Sequence, residues 1–134
     1  MANSTPRFKR VLLVDDNDID NFINERIITS SFFADKVEVK TSAQAALDFL
    51  KSNASNAELL PQVIFLDLNM PVMDGFAFLE EYKNLPDSVK NSSKIIVLSS
   101  SISPDDINKA SANPLVSKYL NKPLADKYLE AINF

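Results

Sequence analysis

Val63-Ile64-Phe65-Leu66-Asp67-Leu68-Asn69-Met70-Pro71-Val72-Met73-Asp74-Gly75 runs four apolar residues into a carboxylate and then into turn-forming residues. Val63 to Leu66 has the length and composition of a strand buried on both faces, because a strand covered on one side alternates apolar with polar. Pro71 and Asp74-Gly75 are turn signals, so the strand ends at Leu66 and Asp67 stands at its carboxyl end. In open α/β sheets that edge forms the crevice where ligands bind, which makes Asp67 the candidate for the residue that carries the chemistry. Gly75, the only glycine in the chain, reads as permitting a backbone conformation that a Cβ would oppose, with no chemical role.

Outward from this stretch the same signal recurs. Val11 to Val14 and Ile95 to Leu98 are short Val/Ile/Leu runs followed by polar residues, and read as further central parallel strands. Val37 and Val39 alternate with Glu38 and Lys40, and Tyr119-Leu120 is a brief apolar patch before Lys122-Pro123; both suit half-covered edge strands. Helical spacing fills the gaps: Ile19, Phe22, Ile23 and Ile27, then Ala46, Leu47 and Leu50, then Phe76, Leu79 and Tyr82, and finally Leu124, Tyr128, Leu129 and Ile132. Ser42 is a candidate N-cap, and Ser103-Pro104-Asp105-Asp106 supplies a cap, a first-position proline and two acids for a fourth helix. The stretch from Glu80 to Ser93, with Pro86, reads as a helix end and a loop. A β-α unit repeated about five times predicts a parallel sheet with helices on both faces.

The 134 residues suit one domain, read as residues 8–134 after a short polar tail, residues 1–7. That tail lacks the apolar core of a secretory signal and no apolar run reaches membrane-spanning length, so a cytoplasmic location is expected. With no cysteine and no histidine, disulfides, thiolate or imidazole metal sites, a Cys nucleophile and a Ser-His-Asp relay are excluded. The net charge of −4 provides no basic field for nucleic acid.

Four strand ends carry polar residues: Asp15-Asp16, Asp67, Ser99 and Lys122, and a parallel sheet brings all four to one edge. Three carboxylates in one crevice repel each other, and a divalent cation relieves that repulsion. An all-oxygen ligand set selects a hard metal, and Mg²⁺, which keeps several waters, fits. A hydrated Mg²⁺ beside a carboxylate suggests phosphoryl chemistry, with Asp67 as nucleophile, Lys122 as a second positive charge and the Ser99 hydroxyl as a donor to a phosphoryl oxygen.

In order, Leu13-Val14-Asp15-Asp16-Asn17, Asp67 with Met70-Pro71-Val72-Met73-Asp74-Gly75, Ser99 and Lys122-Pro123 resemble the receiver domain of two-component response regulators over roughly residues 9 to 133. The resemblance implies a flavodoxin-like (βα)5 fold, a doubly wound five-stranded parallel sheet in the order 2-1-3-4-5, here without an output domain. It implies that Asp67 accepts a phosphoryl group from the phosphohistidine of a sensor histidine kinase or a histidine phosphotransfer protein. Asp16, Asp67 and the backbone carbonyl of Asn69 would hold Mg²⁺, with Asp15 acting through water. Lys122 would contact Asp67 or its phosphoryl oxygens, and Lys122-Pro123 is a bond the family often builds as cis. Ser99 takes the place of the switching hydroxyl, and Tyr119 that of the aromatic that turns with it. The fourth helix, fifth strand and fifth helix would then form the face that meets a downstream protein, unless the phosphoryl group is passed along a relay. Such a protein is a phosphoacceptor with self-catalysed phosphotransfer and autodephosphorylation, and not an enzyme in the ordinary sense.

Each residue also has a plainer reading. Asp15 and Asp16 could be a helix N-cap and first-turn acid, Tyr119 a packed edge aromatic, and Ser99 is singled out from Ser99-Ser100-Ser101 only by the apolar run before it. Asp18, Asp20 and Asp74 read as first-turn or solvated acids and not as ligands. Ser100 and Ser117 stand where receivers often have Ala and Gly. Two rivals remain: a receiver fold that signals without phosphate, and a flavin- or nucleotide-binding flavodoxin-like protein, which needs a donor-rich loop where this chain has Asp15-Asp16-Asn17-Asp18.

Overall fold

A computed structural model describes residues 5–132; residues 1–4 of the expected tail and residues 133–134 of the expected domain lie outside it. Five strands, β1 (Phe8–Val14), β2 (Ala34–Lys40), β3 (Val63–Leu66), β4 (Lys94–Ser99) and β5 (Val116–Asn121), alternate with helices. They form one parallel sheet in the order β2-β1-β3-β4-β5, as the family resemblance implied. The central strands are apolar on both faces because both are covered. Leu12, Val14, Ile64, Leu66 and Ile95 face one core with α2 (Ala43–Ser52) and α3 (Gly75–Tyr82). Val11, Leu13, Val63, Phe65, Ile96 and Leu98 face the other, with Ile28 of α1 (Asp18–Ser30) and Leu129 of α6 (Asp126–Ala131).

Three findings differ from the sequence reading. The segment expected as a helix end and loop contains a short helix, α4 (Asp87–Ser92), which buries only Val89 and starts at Pro86 without a side-chain cap. The helix after β4 is therefore α5 (Pro104–Ala112), capped by Ser103 as expected. Arg7, assigned to the tail, is tied down: its guanidinium donates to the carbonyls of Leu129 (3.1 Å) and Ile132 (2.7 Å).

The third difference concerns α1. The spacing of Ile19, Phe22 and Ile23 has the form of a core-facing stripe, yet these residues are 71%, 63% and 44% exposed, while Asn21, Asn24 and Ile28 are buried. Periodicity identifies a helix but does not say which stripe turns inward when a second stripe competes. Here Asn21 Nδ2 donates to the Asp15 carbonyl (2.8 Å). The first turns of α1 thus lie against the polar strand ends, and only its later part, with Ile27 and Ile28, meets the apolar strands.

Candidate functional site

Register places the site. Val14 pairs with Leu66 and Leu66 with Val97, and the ladder continues one residue further: Asp67 N donates to Val14 O (3.0 Å) and Asp15 N to Lys40 O (3.1 Å). Asp15 and Asp67 are thereby fixed side by side, both buried. Asp16 is exposed on the open side, and carboxylate oxygens of Asp15, Asp16 and Asp67 lie within 4.8 Å of one another. On the other flank, Lys122 N donates to Ser99 O (2.9 Å), aligning the ends of β4 and β5, and the Lys122–Pro123 peptide is cis.

Lys122 is the hub of the charges. Its Nζ donates to Asp15 Oδ2 (2.5 Å) and to Asp20 Oδ2 (2.9 Å), and lies 3.8 Å from Asp67 Oδ1. Burial pulls the ammonium's pKa down, but its bonds to Asp15 and Asp20 and the charges of Asp67 and Asp15 outweigh this and hold it above its ordinary value. Asp67 is pushed from 3.8 to about 6, chiefly by burial and then by the Asp15 charge, against the opposing pull of Lys122 and the Asn69 backbone N–H. Its Oδ1 is buried with no hydrogen-bond partner among the described residues. A buried acceptor left in that condition is costly, so the atom is poised for a cation or a bond-forming partner.

The remaining expected residues fall around this group. Ser99, wholly buried, ends β4 and accepts from Ser101 N through Oγ (3.1 Å). The Tyr119 hydroxyl donates to Ser101 O (3.1 Å), and Asn121 Nδ2 donates to the same carbonyl (3.2 Å). Ser101 Oγ donates to Asp106 of α5 (2.8 Å). Asn69 is exposed at the mouth. Gly75 is required for space and not for an unusual dihedral, since its φ is not positive. A Cβ there would come within 2.6 Å of the Asp67 carbonyl oxygen and 2.8 Å of Leu68 Cα.

The caps correct two assignments. Neither Asp15 nor Asp16 caps α1; Asn17 does, accepting from Asp20 N (2.9 Å). Asp74, read as a first-turn or solvated acid, caps α3 through Ala77 N (2.9 Å). Asp20 was missed as a site residue. An acid at the third position of a helix ordinarily reads as a favourable end charge, and only the tertiary path of Lys122 gives it a partner.

Chemically, the crevice offers three carboxylate oxygens from two loops, an ammonium and a buried hydroxyl. The set fits a hard divalent cation held by Asp15, Asp16 and Asp67, since no softer donor is present and the four acids outnumber the one lysine. A larger cavity of about 750 Å³ lies at the opposite edge of the sheet among Lys9, Arg10, Asp35, Lys36, Glu58 and Gln62. It contains none of Asp15, Asp16, Asp67, Ser99 and Lys122. Among the described residues, no helix is long and apolar enough to cross a membrane.

Comparisons with known proteins supply the family and agree with the fold. A two-component response regulator from Cytophaga hutchinsonii has a crystal structure matching at TM-score 0.84 and 35% identity over 92% of each chain. Response regulator Rcp1 of Synechocystis is 31% identical over 91% of this chain and 82% of its own. The structure of its Mn²⁺-bound form superposes at TM-score 0.69, with 30% identity over 90% of this chain and 86% of that one. The probable methanogenesis regulatory protein FilR2 of Methanothrix harundinacea is 32% identical over 86% of this chain and 72% of its own. The sequence model for the response regulator receiver domain matches residues 11–133, a span holding every group of the crevice, and the chain accordingly belongs to the receiver-domain family of two-component response regulators, modules of phosphoacceptor signalling.

Proposed function

We propose that the protein takes a phosphoryl group from the phosphohistidine of a sensor histidine kinase or a histidine phosphotransfer protein onto Asp67, in a Mg²⁺-dependent reaction. The observation that carries this reading is Asp67 itself: a buried carboxylate with an unpartnered oxygen, in a cluster of acids and 3.8 Å from an ammonium. A carboxylate oxygen of Asp67 attacks phosphorus, the bond to the donor's imidazole nitrogen breaks, and the imidazole leaves with that electron pair. Held by Asp16, Asp67 and the Asn69 carbonyl, with Asp15 acting through water, Mg²⁺ would neutralise charge on the transferring group. Lys122 supplies a second positive charge at the same oxygens. Because Asp67 titrates near 6, it is ionised and nucleophilic at neutral pH.

A protein donor is favoured by the ground around the crevice. Ile19, Phe22 and Ile23 on α1, Val72 after β3 and Ile102 after β4 are all exposed, and all belong to the carboxyl edge of the sheet. Exposed apolar groups rimming a polar centre are the mark of a protein contact. After transfer, the added negative charge draws Ser99 and Lys122 inward. The Ser101 loop moves with Ser99, and Tyr119 turns, altering the face of α5, β5 and α6 that a downstream protein reads; the alternative fate is onward transfer in a relay. Mass spectrometry after incubation with acetyl phosphate and Mg²⁺ tests the assignment. One labile phosphoryl adduct is expected, prevented by EDTA and abolished by Asp67→Asn; an adduct that persists in Asp67→Asn overturns it.

A further inference from the structure

Among the described residues Lys122 is the one cation in the crevice, yet it is only ion-paired with Asp67 and makes no hydrogen bond to it. Its Nζ is 2.9 Å from Asp20 Oδ2 and 3.8 Å from Asp67 Oδ1, although Asp67 Oδ1 is buried without a hydrogen bond and Asp20 is partly open to water. An ammonium free to choose would satisfy the buried, unpaired acceptor first, because that acceptor has no water to fall back on. Asp20 and Asp15 together take two of its three protons and aim it toward α1.

We propose that Asp20 is a positioning residue that tethers Lys122, holding the ammonium on the α1 side of the crevice so that it reaches Asp67 only when the Asp20 bond is given up. The proposal deepens the phosphoacceptor reading above and rests on it for its functional consequence. Asp15 cannot act alone as this tether, because it adjoins Asp67 and is part of the acid cluster. Asp20 stands outside that cluster on the helix, where Asn17 fixes it by accepting from its backbone N–H (2.9 Å). A phosphoryl group on Asp67 adds charge that pulls Lys122 inward, and Asp20 pulls the other way. The balance of the two sets how readily the phosphorylated arrangement forms, as a ligand with unequal affinity for two states shifts their populations.

The test compares Asp20→Asn, which keeps the shape and removes the charge, with Asp20→Glu, which keeps the charge, and Asp18→Asn. Asp18 is exposed in the same first turn, so its variant controls for net charge and for the helix end. The first measurement is made without phosphodonor or divalent ions: the ¹H–¹³C signal of the Lys122 ε-methylene, assigned by its loss in Lys122→Arg. It is expected to move in Asp20→Asn and to stay near its wild-type position in Asp20→Glu and Asp18→Asn. The second is the phosphorylated fraction at sub-saturating acetyl phosphate with Mg²⁺, expected to rise about fivefold in Asp20→Asn alone, the size of a half-exposed charged pair. An unmoved Lys122 signal in Asp20→Asn, or an equal rise in Asp18→Asn, overturns the tether. If the wild-type protein takes no phosphoryl group at all, the functional reading fails, while the Lys122 signal still decides whether the tether exists.

Discussion

Asp67→Asn is expected to stabilise the metal-free protein, and by an amount that depends on pH. Raising a carboxyl from 3.8 to about 6 penalises its ionised form in the folded state by about 3 kcal/mol, at about 1.4 kcal/mol per pH unit. Solvent reaching the crevice past the exposed Asp16 screens part of this, leaving about 2 to 3 kcal/mol. The sign follows from linkage: the folded pKa lies above the unfolded one, so the ionised group opposes folding, fully above pH 6 and progressively less as pH falls toward 3.8. An isosteric amide carries no such penalty. For a chain of this length, thermal unfolding in EDTA at pH 8 should show the variant's midpoint roughly 6 to 15 °C above wild type. That gap should close as pH is lowered toward 4, and should narrow at pH 8 when Mg²⁺ is added, because the cation stabilises only the wild-type cluster fully. An unchanged or lower midpoint at pH 8, or a gain that does not shrink in acid, would refute the argument that burial and a neighbouring carboxylate strain this site.

Two further outcomes follow from the backbone. Gly75→Ala should cost about 1 to 2 kcal/mol in urea unfolding and slow acetyl-phosphate labelling, because overpacking against the Asp67 carbonyl exceeds the helix-propensity gain; equal stability would mean the contact can relax. Val72, β-branched and wholly exposed, has φ 70° in a three-residue turn closed by Met73 N donating to Pro71 O (2.8 Å). Val72→Asn should raise the unfolding free energy by about 1 kcal/mol, read as a higher urea midpoint at unchanged slope, since Asn tolerates this region, and a flat response would show that the turn stores no strain.

What could be read in advance depended on where the information resides. The central strands were legible because burial on both faces leaves an uninterrupted apolar run, and the order of their polar ends then assembled the crevice. The inward face of α1 was not legible, since Asn21 outcompetes Phe22 for the inside only through its bond to the Asp15 carbonyl, a tertiary fact. For the same reason Asp20 was missed. The short α4 has one buried side chain and no side-chain cap, too little to leave a period. Left-handed positions announce themselves by glycine, and this chain puts Phe32 and Val72 there instead, while its one glycine marks a close approach.

The two sides of Asp67 are mechanically unequal. Toward α3, the Gly75 backbone lies so close to the strand end that an added Cβ would meet the Asp67 carbonyl oxygen at 2.6 Å, which leaves that side little room to move. Toward β5, the Ser101 carbonyl alone receives both the Tyr119 hydroxyl and the Asn121 amide, while its hydroxyl holds Asp106. A displacement of that single residue would release the Tyr119 and Asn121 side chains of β5 and the Asp106 side chain of α5 together. A shift beginning at Asp67 would therefore meet less resistance toward β5 than toward α3, and would reach three side chains through one residue.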